Sequence, residues 1–103
     1  MVMMVLVTIP KAKAKAMTKL LLKKRVCACV NIISNVESFF WWQGKLNAAK
    51  EALLIIKTKK SLFSKVKGVI KANHPYKVAE IIGFEIDKIN SEYSRWLDKE
   101  ACG

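Results

Sequence analysis

"SFFWWQGKL", residues Ser38 to Leu46, sets four large aromatics in a row ahead of a Gln-Gly pair. In extended backbone, successive side chains point to opposite faces. Phe40 and Trp42 then face one way, and Phe39 and Trp41 the other. A half-buried strand alternates apolar with polar residues. This one does not, so both of its faces need cover. "QGK" (Gln43–Lys45) holds the only glycine of the region and predicts a hairpin turn.

Working outward from that turn, Val26 to Ile33 is β-branched and strand-like, "SNVES" predicts a bend or bulge, and the strand runs on to Trp42. "EALLIIKT", Glu51 to Thr58, is the returning strand. Upstream, Val2 to Thr8 reads as a strand and Pro10 as the start of a helix, because its fixed φ suits a first turn. Ala14, Met17, Leu20 and Leu21 form one stripe of that helix, and "KKR" closes it with positive charge at its negative end. Downstream, Ser61 is a candidate cap for a helix whose stripe is Leu62, Phe63, Val66, Val69 and Ile70. Asn73 and the His74-Pro75 pair stop it, since the residue before a proline avoids the α region. Val78 to Ile86 is a fourth strand. Asn90 or Ser91 caps a last helix with Tyr93, Trp96 and Leu97 on its buried side.

The order β-α-β-β-α-β predicts an α+β, ferredoxin-like sandwich with a C-terminal helix. Right-handed crossovers put both long helices on one face of a four-stranded antiparallel sheet. Leu53 and Ile55 alternate with Leu54 and Ile56, so the other face is apolar as well. One helix of about ten residues is too short to cover four strands, and a bare patch of that size is more than a monomer tolerates. The expected cover is another copy of the chain.

Composition agrees. The 103 residues fit one domain, 1–103, with a single modest core. At 52% hydrophobic the chain is too apolar for a disordered segment. "MVMMVLVTIP" is too short to span a bilayer and lacks the pattern of a cleaved leader, so the chain is expected to be soluble and cytoplasmic, with no membrane partner. Three cysteines without scaffold spacing fit a reducing compartment.

"RVCACVNI", "SFFWWQGKL", "EALLIIKT" and "HPYKVAEII", in this order and spacing, resemble the CutA family of divalent-cation tolerance proteins. The tail "YSRWLDKE" is similar to that family's Tyr-x-x-Trp helix. The resemblance spans essentially the whole chain. It implies a tight homotrimer similar to the PII signalling proteins, with hairpins reaching onto neighbouring subunits, and a role in the response to metal ions. It departs in three places. Gln43 stands for the usual Glu and removes a possible carboxylate ligand. Ala79 stands for the usual Pro. Lysines replace mixed or acidic residues at the first helix.

The candidate chemistry is sparse. Cys27 and Cys29 share one strand face, with Cα atoms about 6.6 Å apart and side chains parallel rather than converging. The resemblance implies Cys29, His74 and Glu80 as a divalent-metal site, with copper foremost among metals that accept thiolate and imidazole. The competing reading makes Cys29 a small core residue and His74 a turn residue bonded to backbone. The resemblance also sets Phe40, Trp41, Trp42, Lys57 and Tyr76 at the subunit boundary, where a small ligand could bind. An ion pair of Lys57 with Glu80 or Glu85 is the structural alternative. No glycine-rich phosphate loop is present, and a Cys29–His74 nucleophile pair is disfavoured by the strand position of Cys29, so no enzyme activity is expected.

Nineteen basic against eight acidic side chains give +11, with Lys11, Lys13 and Lys15 at a helix start. A basic module holding nucleic acid or another polyanion is therefore the alternative to metal tolerance. Aromatics at a hairpin end, without a Lys/Arg-Gly-Phe run, argue against sequence-specific nucleic-acid binding.

Overall fold

The computed structural model describes residues 1–103. Strand β1 (Val2–Pro10) leads through a 3₁₀ turn, Lys11–Lys13, into α1 (Ala14–Lys23). Strands β2 (Cys29–Trp42) and β3 (Lys45–Lys59) form a long hairpin. A second 3₁₀ turn, Lys60–Leu62, opens α2 (Phe63–Asn73), and β4 (Ile81–Glu85) and α3 (Ser91–Glu100) complete the chain. The sheet order is β2-β3-β1-β4 with every pair antiparallel, which is the ferredoxin-like topology expected.

Pro10 does not open the first helix. It is the last residue of β1, and α1 begins only after the 3₁₀ turn. Likewise Leu62, not Ser61, precedes α2, and neither helix has a side-chain cap. Asn90 does precede α3, but its side chain makes no capping hydrogen bond either. β3 starts six residues earlier than the apolar run implies, and β4 is shorter at both ends.

The register assigns the faces. Val5, Val7 and Ile9 oppose Ile56, Leu54 and Ala52, all fully buried beneath Met17 and Leu21 of α1 and Val66 and Ile70 of α2. Gly83 of β4 lies on this side, and a Cβ there would stand 2.7 Å from the Phe63 ring. On the other face, Val2, Leu62, Leu97 and Ala101 form a smaller cluster that seats α3 at the start of β1. Of the three residues expected on the buried side of α3, Leu97 is buried, Tyr93 is half-buried, and Trp96 is exposed. The rest of that face is bare: Ile33, Ile82 and Phe84 are 47%, 51% and 45% exposed.

The bulge expected at "SNVES" lies between Ile33 and Val36, with Asn35 at φ 62. Lys11 Nζ donates to Asn35 Oδ1 at 2.8 Å and ties it to the turn after β1. Beyond the Pro10–Glu51 pair no third strand accompanies the hairpin, so its last six residue pairs project as a two-stranded arm. Gln43 and Gly44 turn the arm with φ 51 and 76, as a type I′ turn requires. The bulge carries Phe40 and Trp42 to the side of the bare sheet face, and Phe39 and Trp41 to the helix side. All four are exposed, so nothing within one chain covers either side of the arm.

Candidate functional site

Two clusters arise where the sheet surfaces meet loops. The first is built on β2 and β3. Cys29 and Lys57 are opposite one another, and Asn31 is two residues on, so all three side chains share the face opposite α1 and α2. Lys57 Nζ donates to Asn31 Oδ1, and the Cys29 thiol points to the same oxygen at 3.9 Å. Tyr93 of α3 leans over this group. Its hydroxyl is pushed upward in pKa by burial first and by the Cys29 sulfur second. Cys29, Asn31 and Tyr93 fall in the stretches "RVCACVNI" and "YSRWLDKE", but nothing in the sequence says that they meet around Lys57.

The second cluster is the His74-Pro75-Tyr76 turn after α2. His74 Nδ1 accepts the Tyr76 backbone N–H at 3.0 Å, which leaves Nε2 to donate to the Thr8 carbonyl at 2.8 Å. That is the neutral imidazole with both nitrogens in use. Tyr76 stacks at a tilt on His74, and its hydroxyl donates to Glu51 Oε2 at 2.7 Å. Glu51 is 3% exposed, a buried carboxylate that the apolar reading of "EALLIIKT" passes over. Burial first, and Glu51 second, push the Tyr76 phenol up to about 12.

The two clusters are separate within one chain. Cys29 lies in the row of Met4, while His74 touches Thr8, four residues or about 13 Å along β1. Glu80 just precedes β4, whose first residue pairs with Val7, so it shares the His74 end of the sheet. No three His, Cys, Asp or Glu side chains stand close enough to hold a metal ion. The residues of a single chain therefore do not fit a metal centre. Lys57 pairs with neither Glu80 nor Glu85; Lys60 takes Glu85 at 2.8 Å. Cys27, almost fully buried, has its thiol pushed up to about 12 by desolvation. It lines an open cleft of about 370 Å³ beside Arg25, Trp96 and Glu100, which contains none of the candidate site residues. No helix is long and apolar enough to cross a membrane.

The sheet order and the two clusters define a ferredoxin-like α+β protein with an uncovered sheet face and a projecting aromatic arm. The model of the CutA1 divalent ion tolerance protein family matches residues 3–100, and the chain belongs to that family. It is 42% identical over 94 residues to "Protein CutA 1, chloroplastic" of Oryza sativa, covering 90% of this chain and 53% of that protein. It is also 42% identical over 94 residues to the "Divalent-cation tolerance protein CutA" of Thermus thermophilus, covering 90% of this chain and 91% of that protein. The solved structure of the Thermus thermophilus protein superposes with a TM-score of 0.95 at 39% identity, over 99% of this chain and 100% of that one.

Proposed function

We propose that the protein acts in divalent-cation tolerance as a cytoplasmic homotrimer that binds metal ions, copper foremost, and that it works by binding rather than catalysis. The observation that carries the reading is the match to the CutA1 family over residues 3–100. The bare sheet face at Ile33, Ile82 and Phe84 and the uncovered arm supply the surface that self-association needs. Three free cysteines accord with a reducing compartment. Cys29 and His74 stand four residues, or about 13 Å, apart along the sheet of one chain, so the proposed seat is shared between subunits, with Cys29 the primary ligand and His74 joining only by giving up a backbone bond.

Titration with Cu(II) and Zn(II), read by calorimetry on wild type, Cys29→Ser, His74→Ala and Cys102→Ser, tests this. Binding is expected to weaken most in Cys29→Ser and to fall as pH drops below about 6, where imidazole and thiol hold their protons. Binding unchanged in both Cys29→Ser and His74→Ala refutes the site.

A further inference from the structure

The helix layer is charged unlike the rest of the molecule. All eight acidic residues lie outside α1, α2 and the 3₁₀ turns that lead into them, while those segments hold nine lysines, five in Lys11–Lys23 and four in Lys60–Asn73. Of the net +11, this layer supplies nine charges and the remainder of the chain two. A general lysine bias raises lysine everywhere but does not expel Asp and Glu from two helices, where Glu is a good helix former. Both helices also lack acidic residues in the first turn, against the preference of the dipole.

The lysines are arranged at a cost. Lys15, Lys19 and Lys23 follow one another at i, i+4 along the exposed side of α1, and Lys67 and Lys71 repeat the spacing on α2. Like charges at this spacing destabilise a helix by a few tenths of a kcal/mol per pair. None of these five is within salt-bridge distance of a carboxylate, since the ion pairs of the chain use Arg25, Lys59 and Lys60. The two helices lie side by side, so the ladders form one surface. The rise between rungs is about 6 Å, close to the ~6.8 Å that two nucleotides of one strand advance along the axis of a duplex.

We propose that the outer face of α1 and α2 is a docking surface for double-stranded nucleic acid, held through its phosphates without regard to base sequence. A membrane is a poorer partner. Interfacial helices aim an apolar face at lipid, whereas Met17, Leu21, Val66 and Ile70 point into the sheet. Single strands need aromatic platforms, and the one aromatic of the two helices, Phe63, packs against the core under Lys67. α1 and α2 lie on the sheet face opposite Ile33, Ile82 and Phe84, so self-association through that bare face would leave their outer side open.

The test is anisotropy of a labelled duplex of about twenty base pairs, with wild type, K15E/K19E/K23E, and a charge-matched control, K88E/R95E/K99E, on α3 and its approach. Wild type is expected to lose about 10²–10³-fold in affinity between about 50 and 200 mM salt, as for about five neutralised phosphates. K15E/K19E/K23E is expected to bind at least tenfold more weakly with a shallower salt slope, while the control stays close to wild type. K15Q/K19Q/K23Q, which introduces no new charge, is expected to follow K15E/K19E/K23E. Equal loss in the ladder and control variants reduces the effect to net charge and overturns the proposal. So does an absence of duplex binding at low salt, tighter binding to vesicles of anionic phospholipid than to duplex, or sequence-selective binding that persists at high salt.

Discussion

Thr58 is fully buried on the helix side of β3, and its hydroxyl donates to the Val26 carbonyl at 2.6 Å, holding the loop after α1 to the sheet. Thr58→Val keeps the shape and deletes that bond, and is expected to cost about 1–3 kcal/mol in urea unfolding with an unchanged m-value. Tyr76 gives a pH prediction. Its folded pKa of about 12 lies above the unfolded value, so its contribution to stability is complete below about pH 10 and is lost as pH rises toward about 12. Tyrosinate absorbance should show a late step that shrinks in Tyr76→Phe, with the Tyr93 part remaining. The cysteines should separate by reactivity: exposed Cys102 alkylates first, and buried Cys27 only on unfolding. The family resemblance names Cys29, His74 and Tyr76 as residues of interest but cannot tell that His74 spends both nitrogens on backbone, since that depends on how a turn meets the Thr8 carbonyl.

Among elements, strands and helices are legible wherever apolar spacing is strong, and their ends are not. Pro10 and Ser61 look like helix starts, yet a tight 3₁₀ turn intervenes at each, and backbone rather than side chains closes it. The outer half of β3, "KLNAAK", has only Leu46 and two alanines as apolar residues, with no β-branched or aromatic one, and it pairs with "ESFFWW" opposite. At the arm tip, Gln43 occupies a positive φ that costs most side chains about 1 kcal/mol. Gln43→Asn should stabilise the turn by about 0.5 kcal/mol, read as a raised thermal midpoint. Gly83→Ala should do the reverse, by about 1–3 kcal/mol, because the Phe63 ring at 2.7 Å has no slack against the core.

For the whole molecule, alternation along the strands already implied that one chain cannot cover its own sheet, and the exposure of Ile33, Ile82, Phe84 and the arm bears that out. Light scattering behind size exclusion at micromolar concentration should give about three chain masses if assembly follows the family resemblance, and a clean monomer would count against it. Trp42→Ala, which trims the arm on the side continuous with the bare face, should weaken assembly by about 3–5 kcal/mol. The angle at which the arm leaves the body depends on the extra residue at Asn35. Deleting it restores an uninterrupted ladder: Phe39 still meets Ala48, and every aromatic keeps its side, but the kink and added twist go. The contact chemistry is then intact while the rotation from one subunit to the next is not. Head-to-tail contacts close into a ring only at one rotation, and otherwise run on as a filament, so if the chain assembles as the proposed trimer, loss of Asn35 is expected to open that ring into a polymer.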